Sequence, residues 1–260
     1  MTKQENILEV SGLGMVFGGL VALVDLNFVV PRGMIKAIIG PNGAGKTTLF
    51  NLISEISSPT SGRVYFKDRK ITGLKAHQIA ALGISRTFQT VELFRQMTVL
   101  ENVMVGRHTR TRKGFFSAGF RLPSMRREER AIREQAMTCL KMVGLTGKAE
   151  EEAGGLPLGE QKALEIARAL ATEPELLLLD EPAAGLNETE TEMMADLFRH
   201  LRDRGVTILI VEHDMRLVMK ISEEVLVLNY GEKIADGSPE AVRSDPEVIR
   251  AYIGEDIEYA

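Results

Sequence analysis

One stretch constrains the fold more than any other: Gly40, Pro41, Asn42, Gly43, Ala44, Gly45, Lys46 and Thr47, between the apolar run 34–39 and Leu49-Phe50. It matches G-x-x-x-x-G-K-[ST], the known pattern of a phosphate-binding loop. Glycines let the backbone wrap closely around phosphate oxygens and aim successive N–H groups inward, at the positive end of a helix. Lys46 supplies a point charge for β and γ phosphates. Thr47 offers a hydroxyl to Mg²⁺, and Thr48 is free for another phosphate.

The rest of the chain suits such a unit. Its 260 residues make one large domain or two small ones, with 44% hydrophobic, 26% charged and 5% aromatic residues, a usage that excludes collagen, long disorder and a disulfide miniprotein. Cys139 stands alone, so no internal disulfide forms and nothing points to an oxidising compartment. The longest apolar run, 20–24, is far short of the ~20 residues of a membrane span. Lys3, Glu5 and Glu9 interrupt the start, where a signal peptide needs an apolar stretch, and a cytoplasmic location is expected.

The net charge of −4 gives no case for nucleic acid as a partner. Its distribution is uneven: between Arg107 and Arg133 nine Arg or Lys face only Glu128 and Glu129, a local +7 against −11 elsewhere.

No linker or repeat divides the chain. Leu26, Phe28 and Val30 alternate with less apolar neighbours, and 63–67 is β-rich after a Ser-Pro-Thr-Ser-Gly turn, which suggests a small antiparallel sheet. The runs 34–39, 176–179 and 206–211 read as strands buried on both faces of a parallel sheet. Each is followed by a polar cluster: the loop, Asp180-Glu181, and Glu212-His213-Asp214. Ligands of open α/β sheets sit beyond the carboxyl ends of strands, so all three clusters fall on one edge. From about Val91 to Glu165 the pattern turns helical, most clearly at 131–142 and 160–171, where Ala163, Ile166, Ala167 and Leu170 form one stripe.

Asp180 is a carboxylate at a strand end, able to hold Mg²⁺ through water. Glu181 beside it is the candidate general base, since two adjacent carboxylates divide the work when the ion neutralises one and the other orients water. Of His77, His108, His200 and His213, only His213 follows a buried strand at this edge, within reach of a γ-phosphate.

Together the loop, Phe88-Gln89-Thr90, the segment 156–161, 176–181 and His213 resemble the ATP-binding subunits of ABC transporters over essentially the whole chain. The resemblance implies a P-loop NTPase (RecA-like) α/β core with a mainly parallel sheet, a small antiparallel β subdomain and an inserted helical subdomain. It implies one nucleotide-binding domain over 1–260, divided into a core with its β subdomain (1–90 and 166–235), a helical subdomain (91–165) and a helical tail (236–260). It also implies roles: Phe17 stacking on adenine, Gln89 touching Mg²⁺ and sensing the membrane subunit, His213 holding the γ-phosphate, and Gly185-Leu186-Asn187 crossing to a second subunit.

Leu156-Pro157-Leu158-Gly159-Glu160-Gln161 stands where the family carries Leu-Ser-Gly-Gly-Gln. There the segment opens a helix, and Leu158, Gly159 and Glu160 would face the ATP of the opposite subunit. Pro157 has neither hydroxyl nor N–H, so one contact to that ATP is missing. One loop and one signature per chain imply a pair of ATPase subunits, identical or different, sharing two Mg²⁺–ATP sites. Such a pair works beneath integral membrane permease subunits and serves a substrate-binding protein indirectly, which makes this chain peripheral on the inner membrane face.

Within the family, Phe17-Gly18-Gly19-Leu20, Arg86-Thr87-Phe88-Gln89, the stretch 93–103, 183–187 and the tail 249–254 resemble the importers of branched-chain amino acids. The tail is also similar to that of lipopolysaccharide-export ATPases. A soluble ABC-type ATPase acting on DNA or ribosomes would bring a second nucleotide domain or long coiled-coil arms. A GTPase would show Asn-Lys-x-Asp, which is absent, and a kinase would not need the segment 156–161. The basic stretch has two readings: contact with acidic loops or anionic lipid at the membrane, or a solvated face.

Overall fold

The structure, a computed structural model, describes residues 5–107 and 123–258, with side chains throughout except at 123–128 and 253–258. Two sheets organise it. Strands β1 (Asn6–Phe17), β2 (Leu20–Pro31), β4 (Ser61–Phe66) and β5 (Arg69–Lys70) form an antiparallel sheet in the order β2-β1-β4-β5. Strands β3 (Ile35–Ile39), β6 (Ile84–Arg86), β7 (Leu176–Asp180), β8 (Thr207–Val211), β9 (Glu224–Asn229) and β10 (Glu232–Gly237) form the second, in the order β10-β9-β3-β8-β7-β6. All its pairings are parallel except β9 with β10. This is the α/β class expected from the sequence, with β6, β9 and β10 added to the three strands read there.

Every residue of β3, β7 and β8 is buried, as apolar runs covered on both faces should be. Their period of two divides the core. Ala37, Leu177, Leu179, Ile208 and Ile210 face one apolar cluster with the helices α3 (Val99–Arg107), α5 (Leu158–Leu170) and α6 (Glu188–Asp203). Ile38, Leu176, Leu178, Leu209 and Val211 face the other, with the antiparallel sheet, α1 (Lys46–Ile53) and, through Ile79, α2 (Ala76–Leu82). The register sets Ile38 and Asp180 on either side of Val211, so the ends of β3 and β7 flank the end of β8.

Helices α3, α4 (Pro123–Met142) and α5 pack on one another. Gly106 permits the α3–α5 crossing, because a Cβ there would lie 2.3 Å from the Arg168 carbonyl oxygen. The helical pattern expected from Val91 starts later. Residues 91–98 are irregular, and the buried Asn102 amide binds the carbonyls of Phe94 and Thr98 at 3.0 Å, satisfying backbone that a helix would otherwise pair. Helix α4 starts at Pro123, ahead of the segment read from Ala131, and α5 starts at Leu158, two residues earlier than read.

Of the basic stretch, residues 108–122, including Arg110, Arg112 and Lys113, lie outside the described residues. Arg107 pairs with Glu173 at 2.7 Å and Arg133 with Glu150 at 2.5 Å. No helix among the described residues is long and apolar enough to cross a membrane.

Candidate functional site: a phosphate loop beside paired carboxylates

The loop leaves β3 at Gly40, whose φ is +148° and whose Cβ, if present, would lie 2.0 Å from the Leu228 carbonyl oxygen. Only glycine fits that contact. Pro41 and Ala44 are buried, while Asn42, Gly43 and Thr47 are exposed. Gly45 precedes α1 as its N-cap, and Ala44 accepts a bond from Gly231 N at 3.1 Å, which ties the loop to the β9–β10 turn. Lys46 opens the helix with its ammonium drawn over the loop, donating to the carbonyls of Gly40 (2.6 Å) and Pro41 (2.8 Å). Thr48 is half-buried two residues further into the helix's first turn.

Beside the loop lies a cavity of roughly 440 Å³ whose walls include Thr47, Arg86, Gln89 and Asp180. Asp180 Oδ2 accepts from Arg86 Nη2 at 2.9 Å, and Oδ1 is buried without a hydrogen-bond partner. Burial pushes the Asp180 carboxyl above its usual range, against the pull of Arg86. The guanidinium also donates to Asn51 Oδ1 (2.8 Å) and Ser54 Oγ (2.9 Å), and the rings of Phe50 and Phe88 lie within 5.5 Å of it.

Glu181 adopts a left-handed backbone, φ +49°. Its N–H donates to the Val211 carbonyl at 2.9 Å. Its carboxylate accepts from Gln89 Nε2 through Oε2 at 2.9 Å, and Oε1 lies 3.9 Å from Nδ1 of the largely exposed His213. Glu212, wholly buried between them in sequence space, accepts from Ala183 N (2.7 Å) and His213 N (3.2 Å) and so pins both turns.

The structure thus brings Lys46, Thr47, Gln89, Asp180, Glu181 and His213 to one edge. It does not bring Leu158, Gly159 or Glu160 there. These open α5 behind Pro157, an N-cap with no side-chain capping bond. Gly159 and Glu160 line a different cleft, and Glu160 pairs with Lys148 at 2.6 Å. Phe17 ends β1, half exposed, in a Gly18-Gly19 hairpin whose second strand brings the Ala22 carbonyl against Gly45. Asn187 caps α6. Sequence reasoning did not single out Arg86, Lys162 or Glu212 as site residues. For Glu212 and Arg86 the available signal was a charge directly ending a strand.

Comparison with known proteins agrees with this geometry. A family model described as ABC transporter matches residues 23–184, and one described as branched-chain amino acid ATP-binding cassette transporter matches 232–258. The chain is 47% identical over 252 residues to the high-affinity branched-chain amino acid transport ATP-binding protein LivG of Escherichia coli strain K12, covering 96% of this chain and 99% of that protein. To BraF of Pseudomonas aeruginosa, named for the same transport, it is 48% identical over 250 residues, covering 96% and 98%. Among solved structures, a nucleotide-free ATP-binding cassette from an ABC transporter superposes with a TM-score of 0.82 at 34% identity, covering 95% of this chain and 98% of that one. A dimeric cassette in a post-hydrolysis state with ADP and Pi gives 0.75 at 27%, covering 89% and 98%. A chain with this loop, this sheet and likeness of this breadth belongs to the ABC transporter family, as one of its ATP-binding, ATP-hydrolysing cassettes.

Proposed function

We propose that this cassette powers uptake of branched-chain amino acids, pairing with a second ATPase subunit beneath membrane permease subunits on the inner membrane face, with a substrate-binding protein delivering the solute. The observation that carries the catalytic part is the Gln89–Glu181–His213 grouping beside Asp180. The match over 232–258 and the names of the relatives support the substrate.

In this reading the backbone of 40–45, with N–H donors at every residue but Pro41, holds the phosphates of ATP together with Lys46 and Thr48, and Phe17 stacks on its adenine. Thr47, Gln89 and Asp180 are the residues that would hold Mg²⁺. They fit it, since Asp180 Oδ1 is a buried carboxylate oxygen with no hydrogen-bond partner in a cavity that Thr47 and Gln89 also line. When bound, Mg²⁺ supplies neutralisation of phosphate charge. Glu181 is the general base. Gln89 holds its Oε2, which leaves Oε1 to take the proton of the attacking water, and His213 contacts the γ-phosphate. Leu158, Gly159 and Glu160 face the partner's ATP, and Gly185-Leu186-Asn187 cross to the partner. Lying on a separate cleft from Lys46, the signature supports a paired arrangement, in which hydrolysis separates two subunits that ATP had joined.

The experiment is to purify the intact membrane complex and measure its ATPase and uptake with leucine, isoleucine and valine against polar and acidic amino acids. Stimulation by the branched-chain set alone is expected. Stimulation by none of them, or by an exported lipid, refutes the substrate assignment and leaves the ATPase.

A further inference from the structure

Lys162 sits one turn into α5, 6% exposed, and its ammonium donates to the main-chain carbonyl of Glu181 at 3.0 Å. Burial opposes its charge, while Glu212, Glu165 and Glu181 favour it. Glu165 and Glu212 are themselves enclosed, and burial raises both carboxyls above their usual range. They are already held elsewhere: Glu165 accepts from Phe88 N at 3.2 Å, and Glu212 from Ala183 N and His213 N. Lys162 instead donates to the backbone of Glu181, at a residue whose φ of +49° resists its own Cβ. The same helix carries Leu158 and Gly159 at its exposed end, one turn away. A helix is stiff over so short a distance.

We propose that Lys162 is a positioning residue that links the partner-facing end of α5 to the catalytic turn of its own chain, so that seating α5 on the partner's ATP aims the Glu181 carboxylate. This rests on the roles given above to Glu181 and to the signature segment.

The test uses the full chain in its purified membrane complex. Lys162→Met keeps an unbranched apolar stem and loses only the terminal donor atom, and Lys162→Arg restores a donor. For Lys162→Met, kcat is expected to fall about tenfold or more, because small misplacements of a reacting group cost that much. KM for ATP should stay within about twofold, and Lys162→Arg should recover most of kcat. In a Glu181→Gln background, ATP-driven association should be unchanged by Lys162→Met, since the ammonium touches no nucleotide.

A kcat near wild type, a rise in KM alone, or an arginine variant no better than methionine overturns the proposal. Should methionine prevent folding, Lys162→Gln, about one bond too short to reach the carbonyl, must show the same kcat loss, and normal turnover in it counts equally against the link. Glu181→Gln separates the two layers. If it does not slow hydrolysis, the underlying reading fails. If it does while Lys162→Met turns over normally, only the link fails.

Discussion

Arg86 and Asp180, 94 residues apart in sequence, meet at 2.9 Å with both side chains less than a tenth exposed. A buried pair of this kind owes much of its mutational sensitivity to the charge left behind when one partner goes. Arg86→Met is therefore expected to destabilise the chain by about 3–5 kcal/mol. The loss should depend on pH. Burial already holds the Asp180 carboxyl above its ordinary range, and removing the arginine raises it further. A raised carboxyl makes the folded state bind more protons than the unfolded state. The variant's relative stability is then greatest below the ordinary Asp range and falls as pH rises through the raised value. Melting temperatures measured between roughly pH 4 and 8 check this, and a pH-independent deficit contradicts it.

Pro157→Ser should act twice. The serine hydroxyl can cap α5, where Pro157 supplies no capping bond, raising stability by about 0.5–1 kcal/mol. It also restores a donor toward the partner's ATP, so ATP-driven association should tighten by up to a few kcal/mol. An unchanged association constant with a higher melting temperature confines the effect to the cap.

For Glu181→Gln, ATP binding should persist and turnover should fall by ~10² to 10⁴. Size-exclusion chromatography with ATP would then show a lasting associated species. Hydrolysis at the wild-type rate would remove Glu181 as the base.

Glu101 closes a reciprocal cap at the start of α3: Thr98 N donates to its carboxylate at 2.8 Å, and Glu101 N donates back to Thr98 Oγ1 at 3.1 Å. The Thr98 bonds hold the Glu101 carboxyl below its usual range. A depressed carboxyl contributes stability present above its unfolded pKa and lost as pH falls through the folded value. Glu101→Gln should therefore lower stability at neutral pH, where that contribution is present, and leave the acid end nearly unchanged, so that the acid limb flattens, as denaturant titrations at several pH values would reveal.

The fold was legible where its signals are local. The loop 40–47 is a contiguous pattern, and β3, β7 and β8 are unbroken apolar runs, so both could be read from a few neighbouring residues. Strand β6 is only three residues long and β1 carries several register shifts, which blur length and alternation. The run 225–228 in β9 did carry a buried-strand signal. Arg86, Glu212 and Lys162 act through partners 94, 29 and 19 residues away. No periodicity within one element encodes those meetings, and they appear only once the sheet has set its register.

The left-handed turn at Glu181 has a last consequence. Chirality makes that conformation uphill for any L-residue by roughly 1–2 kcal/mol, a cost glycine does not bear. Selection for robustness alone would discard the glutamate, and a Glu181→Gly chain should melt higher while standing idle. The side chain proposed above as the base for turnover persists against the preference of the scaffold that carries it.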